Sequence, residues 1–157
     1  MNRRVLAACG GFLLAVLWFD LMFDVQVLGL GESPLPEPVL ASIAFYYHRV
    51  TTEAFPMNRL IAVVMLLAVG GSLYQLVRRR VGIARGLAAL ALCALPTALA
   101  LFRIVPAAIR LGGRADSLEI QSELARQILY GHLLCIGSIA LFIALQLSGS
   151  EPRRAIA

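Results

Sequence analysis

The chain has 157 residues, of which 60% are hydrophobic and 15% are charged, and several of its apolar runs approach the roughly 20 residues that cross a bilayer. Its formal charge of +5 comes from fourteen arginines and no lysine, and these stand mainly at the ends of the apolar runs rather than along one stripe. The pattern predicts a membrane protein with several spans, and it argues against a nucleic-acid-binding surface. All three cysteines lie within apolar runs and none forms a Cys-x-x-Cys pair, so neither a structural disulfide nor thiol redox chemistry is predicted.

Four apolar segments predict four membrane-spanning helices in a single membrane domain, residues 1–157, with spans at about 5–23, 60–77, 83–103 and 127–147. Arg78–Arg80 end the second span and the third begins almost at once, which predicts an antiparallel hairpin. Pro96 predicts a kink within the third span, and Pro106 predicts its end. Asp116-Ser117-Leu118-Glu119 has capping-box spacing, which predicts one long helix from Ser117 to Leu147.

The segment between the first two spans, 24–59, starts with a loop rich in glycine and proline and continues as a second kind of helix. Proline at its first turn and a run from Pro38 to about Phe55 predict a short helix, and its Tyr46–Tyr47 pair is typical of a helix that lies in the membrane interface. The predicted fold is therefore all-α: an integral membrane four-helix bundle with an additional interfacial helix between spans 1 and 2.

The arginines near the span ends predict the orientation. One side collects eight arginines against a single acid, Glu151, whereas the other collects six arginines together with the remaining eight acids. By the positive-inside rule the first side is cytoplasmic, so both termini are predicted in the cytoplasm and the segments 24–59 and 104–126 on the outer side. The eight arginines are Arg3, Arg4, Arg78, Arg79, Arg80, Arg85, Arg153 and Arg154.

Two carboxylates, Asp20 and Asp24, stand four residues apart at the outer end of the first span. On a helix this spacing places them on one face. Burying a carboxylate at membrane depth costs several kcal/mol unless another group pairs with it. The groups predicted on the same side of the membrane are Arg103 at the end of the third span, His132 near the start of the fourth, and His48, Glu53 and Arg59 in the outer segment. In an antiparallel bundle Asp20, Arg103 and His132 share one depth. Any chemistry is therefore predicted at this end.

Three interpretations of this polar group remain open. The first is a structural ion pair that joins Asp20 or Asp24 to Arg103 or Arg59 and fixes helix rotation. The second is a metal site built from the two carboxylates and histidine, although no His-x-x-x-His or Glu-x-x-His element is present. The third is a metal-free pocket in which an acid or His132 moves a proton on an apolar substrate.

From the third interpretation we take candidate site residues. The candidate catalytic residues are His132 and Asp20, and the candidate ligand-binding residues are Asp24, His48, Arg103 and Tyr130. No residue is assigned as a metal ligand, and no cofactor is specified.

Several short stretches resemble the anthrone-oxygenase-like family of small four-span membrane proteins. The stretches are Ala-Phe-Pro-Met-Asn at the start of the second span (54–58), Arg-Ile-Val-Pro at the end of the third (103–106), and Ala-Arg-Gln-Ile-Leu-Tyr-Gly-His in the outer half of the fourth (125–132). The resemblance implies cofactor-independent oxygenation of polyketide anthrones, and it carries a functional role over to His132 alone. Where the family has a tryptophan before this histidine and an arginine after it, this chain has Tyr130 and Cys135.

Two functions of different classes follow as hypotheses. The first is an enzyme or ligand-binding protein of the inner membrane. It binds or oxidises a lipophilic aromatic or quinone-like molecule that enters from the outer leaflet. The second is a non-catalytic accessory subunit of a larger membrane complex. The expected partners are the lipid bilayer, a lipophilic small molecule, and a membrane protein or a second copy of the chain, with no nucleic acid.

Overall fold

The computed structural model describes residues 2–31 and 34–148, so the predictions for Glu151, Arg153 and Arg154 lie outside the described residues. Within this part of the chain the secondary structure is helical, without a β-strand. The helices are α1 (Arg3–Asp24), α2 (Glu37–Thr52), α3 (Met57–Val77), α4 (Ile83–Leu99), α5 (Val105–Gly113) and α6 (Leu118–Leu147). A 3₁₀ turn, Val25–Val27, extends α1, and a π-helical turn, Ala100–Ile104, joins α4 to α5.

Four helical stretches of the described chain are long and apolar enough to cross a membrane: Arg3–Val27, Met57–Val77, Ile83–Gly113 and Leu118–Leu147. The predicted all-α bundle with an additional helix between the first two long helices is confirmed. α6 is its centre, because it packs against α1, α4 and α5 and is more buried than any other long helix. Ser117 accepts a hydrogen bond from the Ile120 amide at the start of α6, so the cap is Ser117 and not Asp116, and the predicted long helix follows it without a break as far as Leu147.

The third long helix departs from its prediction. Pro106 was expected to end the helix, which is wrong, because the backbone remains helical as far as Gly113. A proline is tolerated in the first turn of a helix, where the missing amide has no required partner. The π-helical turn ends at Ile104, so Pro106 falls in the first turn of α5. The helix α5 therefore extends beyond the predicted span end at 103 and packs against α2.

The additional helix α2 packs mainly against α5. Its buried face has helical spacing and consists of Leu40, Ile43, Ala44 and Tyr47. The two backbones approach closely at Gly112, where an added Cβ would lie 2.8 Å from the His48 backbone nitrogen. Glycine at this position therefore allows α2 to lie flat against α5, and this contact fixes the position of the tyrosines in α2.

Candidate functional site

A buried acid and histidine form the centre of the site. Asp24, the last residue of α1, is 1% exposed, and His132 in α6 is 5% exposed. The Nδ1 atom of His132 lies 2.6 Å from Asp24 Oδ2. Its Nε2 atom lies 3.9 Å from Oδ2 of Asp20, one helical turn earlier in α1. The close packing of α1 along α6 thus places one imidazole between two carboxylates.

Two consecutive tyrosines of α2 complete the arrangement. Tyr46 donates a hydrogen bond of 2.6 Å to Asp20 Oδ1, and Tyr47 donates one of 2.6 Å to Asp24 Oδ1. Tyr46 also stacks on Phe23, with 3.9 Å between the ring centroids. We name Asp20, Asp24, Tyr46, Tyr47 and His132 the Asp–His–Tyr cluster. Its members come from α1, α2 and α6, so it depends on the tertiary fold.

Both phenols are kept as hydrogen-bond donors by their surroundings. Burial, together with the charge of Asp20 and the hydrogen bond to it, raises the pKa of Tyr46 far above its ordinary value. Burial and the charge of Asp24 do the same to the pKa of Tyr47. A phenolate beside a carboxylate in a poorly solvated site would meet both desolvation and like-charge repulsion. The two tyrosines therefore remain protonated and hold the carboxylates in place.

The contact with Asp24 involves one particular nitrogen of the imidazole. An ionised carboxylate has no hydrogen to donate, so with Asp24 ionised Nδ1 of His132 is the donor in the 2.6 Å contact. In a neutral imidazole the other nitrogen, Nε2, then has a free lone pair and can accept a proton. Asp20 lies beside Nε2 and would stabilise the positive charge that results. Geometrically, His132 is arranged as an oriented base.

The loop between α1 and α2 explains how the tyrosines reach the acids. Gly29 has φ of +76°, a left-handed conformation that glycine adopts without strain. After this reversal the Leu35 amide donates a 2.9 Å hydrogen bond to the Ser122 hydroxyl of α6, and the Leu35 side chain is 2% exposed. Arg126 of α6 donates to the carbonyl of Gly31. The loop is thereby attached to α6, and α2 is brought back over the end of α1.

A cavity of about 390 Å³ lies beside the cluster. Asp20 and His132 line it, and its other polar side chains are Thr51, Asn58 and Thr97. The remaining walls are apolar or small and come from all six helices and the π-helical turn, including Leu13, Leu17, Val50, Ile61, Met65, Ala100, Leu101, Val105 and Ile139. The volume is within the range of roughly 300–1,000 Å³ that is common for small-molecule pockets. The two candidate catalytic residues thus face a space that could hold a molecule.

The candidate ligand-binding residues separate into one that joins the cluster and three that do not. Asp24 lies at its centre, whereas His48, Arg103 and Tyr130 are exposed. Tyr130 is 60% exposed, although it is only two residues from His132, because it faces away from the buried side of α6. These three residues do not take part in the cluster.

The expected ion pair between an acid of α1 and an arginine is also corrected. Asp24 pairs with His132, and Arg103 forms no ion pair within residues 2–31 and 34–148. Arg59 lies over the Phe55 ring, at 4.9 Å from its centroid, and Glu53 pairs with Arg49 at 3.2 Å. Sequence position gave the level of these groups but not the direction in which each faces from its helix.

The tyrosines were assigned in the sequence only as interfacial anchors, so their role as donors to the two acids was missed. The available signal was a pair of adjacent tyrosines in the helix that follows the loop after Asp24. Once α2 returns over the end of α1, these two phenols lie opposite the two stacked carboxylates. As for metals, the described part of the chain holds no group of three or more His, Cys, Asp or Glu side chains arranged to bind an ion.

The site and fold define a class: an all-α bundle with four candidate membrane spans and a buried acid–histidine pair beside an apolar cavity. Comparison with known proteins adds no more specific assignment, because no protein-family model, curated protein or solved structure matches the chain.

Proposed function

We propose that this is a multi-pass membrane protein that binds a lipophilic molecule with an acidic hydroxyl, such as a phenol or a quinol, in the cavity beside the Asp–His–Tyr cluster. In this proposal His132 accepts the hydroxyl proton. The observation that carries it is the 2.6 Å contact of His132 Nδ1 with buried Asp24, because this contact orients an imidazole that also lines the cavity.

The proton transfer is supported by the charges around the imidazole. The hydroxyl O–H bond breaks, Nε2 of His132 takes the proton, and the ligand stays as an anion beside the imidazolium that forms. Asp24 at 2.6 Å and Asp20 at 3.9 Å stabilise that imidazolium. A fixed carboxylate behind a histidine base is an arrangement that many enzymes use to hold the imidazole in one tautomer.

The ligand class is supported by the cavity walls. Most lining residues are aliphatic, whereas the polar groups, including Asp20, Asn58 and His132, are few. Such a surface favours a molecule with a large apolar body and a single polar end. Loss of the hydroxyl proton also makes a phenol or a quinol easier to oxidise. The proposal is therefore compatible with the oxygenase activity that the family resemblance implies.

The test uses 4-nitrophenol, whose absorption spectrum changes when its hydroxyl ionises. The purified protein in neutral detergent should bind it and shift the bound probe toward the phenolate, relative to detergent micelles alone. His132→Gln should abolish the shift, and the matched variant His48→Gln, at an exposed histidine, should keep it. Ala100→Phe, which places a large side chain in the cavity wall, should prevent binding without altering His132. A shift that survives in His132→Gln would contradict the proposal.

The alternative, an accessory subunit of a membrane complex, predicts a different behaviour on purification. Native mass spectrometry in mild detergent reports partners and bound small molecules in one spectrum. A ligand-binding protein should appear alone or as a small oligomer with an apolar molecule attached. An accessory subunit should instead appear with other chains and without a ligand, and this result would favour the alternative.

We also propose that the four candidate spans lie in the inner membrane with both termini in the cytoplasm. The support is the difference between the two ends of the bundle, since Arg78–Arg80 and Arg85 lie at one end and all acids of the described chain lie at the other. Cysteine labelling of intact cells can test this, with single cysteines introduced at positions 79 and 116. Position 116 should react with an impermeant reagent from outside and position 79 should not; the reverse result would show the orientation to be wrong.

A further inference from the structure

The end of the bundle opposite the Asp–His–Tyr cluster carries an excess of positive charge. Here α1 begins, α3 ends, α4 begins and α6 ends. Among the described residues this end holds six arginines and no aspartate or glutamate. The arginines are Arg3, Arg4, Arg78, Arg79, Arg80 and Arg85. Clusters of 4–8 basic residues directly beside membrane spans favour anionic lipid headgroups.

A cavity of about 380 Å³ lies within this charged end, between the start of α1 and the end of α3. Its lining is polar apart from one valine and consists of Asn2, Arg3, Tyr74, Gln75, Arg80 and Val81. A row of arginines that served only to orient the spans would need charge but no cavity. The combination of guanidinium, amide and phenol groups around one space is what a phosphate oxygen can use as hydrogen-bond donors.

Neighbouring contacts hold part of this end in place. Arg3 donates to the Leu145 carbonyl at 3.3 Å, and Arg85 donates to the same carbonyl and to the Ser148 hydroxyl, the latter at 3.2 Å. These contacts join α1 and α4 to the end of α6. The guanidinium of Arg80 forms no hydrogen bond or ion pair within the described chain, so it is available to an anion at the cavity.

The turn that carries Arg80 has an uncommon residue choice. Arg79 has φ of +49°, in the left-handed region where glycine usually follows a helix end. The Arg79 amide bonds the Leu76 carbonyl and the Arg80 amide bonds the Gln75 carbonyl, which closes α3. A non-glycine residue in this conformation is strained, because its Cβ comes close to the backbone. The chain thus keeps three consecutive arginines here despite a local cost in backbone energy.

We propose that this cavity binds a phosphate group, most directly the phosphodiester of an anionic lipid headgroup at the membrane surface. Arg80 and Arg3 supply the charge, and the polar lining supplies further donors. A zwitterionic headgroup is disfavoured because its own cation would lie among the six arginines. The inference is independent of the proposed function, since the two sites lie at opposite ends of the bundle.

The test is native mass spectrometry of delipidated protein in neutral detergent, titrated with phosphatidylglycerol or phosphatidylcholine. The protein should retain phosphatidylglycerol at least about fivefold better than phosphatidylcholine, which corresponds to one well-placed arginine at the surface. Arg80→Gln should reduce phosphatidylglycerol binding by about the same factor. The matched control is Arg103→Gln, because Arg103 is also an exposed arginine without an ion pair in the described residues, but lies at the other end.

Inorganic phosphate forms the second arm of the experiment. If millimolar phosphate displaces phosphatidylglycerol from the protein but sodium chloride of equal ionic strength does not, the phosphate group is the recognised part. If phosphate instead binds with no lipid competition and only Arg80→Gln weakens it, free phosphate is the ligand of the cavity. Equal retention of both lipids without phosphate binding, or an Arg80→Gln variant that behaves like Arg103→Gln in both arms, would overturn the inference.

Discussion

The two ends of the bundle accommodate charged side chains in opposite ways. At one end, acids and a histidine face the interior and pair with one another, so that Asp24 is 1% and His132 5% exposed. At the other end the arginines lie at the surface or donate to helix-terminal carbonyls, as Arg85 does to Leu145. The first end builds a small, desolvated polar centre, whereas the second builds a broad positive surface.

This difference separates charges that need defined partners in the fold from charges that need only solvent or headgroups nearby. An arginine at a span end needs only water or headgroups nearby, and its long stem lets it reach them. A buried carboxylate needs defined partners, because desolvation without them costs several kcal/mol. The buried cluster is therefore expected to be sensitive to single substitutions and the arginine end to tolerate them.

The largest effect is expected for Asp24→Ala. It leaves Tyr47 and His132 without their acceptor in a buried site, and breaking one partner of such a group costs about 3–5 kcal/mol. The free energy of unfolding can be measured by titrating the protein in neutral detergent with sodium dodecyl sulfate, which denatures it. The matched control is Asp116→Ala, since Asp116 pairs with largely exposed Arg110 at 2.9 Å, and less than about 1 kcal/mol is expected there. Equal losses in the two variants would remove the contrast between buried and exposed charge.

The next largest effect is expected when one phenol is removed. Tyr47→Phe deletes the 2.6 Å hydrogen bond to buried Asp24, and a hydrogen bond to a charged group contributes about 1.5–3 kcal/mol. Tyr46→Phe deletes an equally short bond to Asp20, but Tyr46 is half-buried, so water can replace part of it and the loss should be smaller. The same unfolding titration compares them. A larger loss of unfolding free energy for Tyr46→Phe than for Tyr47→Phe would mean that burial does not decide the strength of these hydrogen bonds.

A third prediction concerns the packing that brings the tyrosines to the acids. Gly112→Ala places a Cβ 2.8 Å from the His48 backbone nitrogen, so α2 must move from α5 at a cost of about 1–3 kcal/mol. Gly113→Ala is the matched control, because a Cβ there meets nothing within 4 Å. Chemical modification of Tyr46 by an aqueous nitrating reagent should increase in the first variant alone. Similar behaviour of both variants would show that the close approach is unimportant.

The smallest effect is expected for Arg103. If Arg103 answered Asp20, a double-mutant cycle between Asp20→Asn and Arg103→Gln would show a coupling free energy of at least about 0.5 kcal/mol. Because Asp20 contacts Tyr46 and His132 instead, the two substitutions should be additive. The same cycle between Asp20 and Tyr46 should show coupling. Strong coupling of Asp20 to Arg103 would restore the ion pair that the sequence suggested.

The helices could be predicted from the sequence because long apolar runs are separated by prolines and glycines, which weaken a helix, and by arginines, which an apolar span rarely contains. The end of the third span was the exception. Pro106 breaks a helix that tries to run through it, but the π-helical turn Ala100–Ile104 resets the backbone so that Pro106 falls in a first turn. Such a local change of helical repeat has no simple signature in composition or spacing.

The candidate site was predicted in part. The i and i+4 spacing of Asp20 and Asp24 was sufficient to place them on one face, and span lengths placed His132 at the same depth. What remained undetermined was the rotation of each helix about its axis, and this rotation decides that His132 faces the acids while Arg103 and Tyr130 face outward. Rotation depends on packing between distant segments, above all of α1 along α6 and of α2 on α5.

His132 is proposed to be an oriented base that takes a proton from a ligand in the cavity. Nitrogen NMR of the protein with isotope-labelled histidine tests it directly, because the chain has only two histidines and exposed His48 is an internal reference. At neutral pH, where a large part of 4-nitrophenol in solution still carries its hydroxyl proton, Nδ1 of His132 should be protonated and Nε2 should not. Saturation with 4-nitrophenol should protonate Nε2 while the His48 signals remain unchanged. A His132 spectrum with Nε2 already protonated before the probe is added, or unaltered by the probe, would exclude this role for His132.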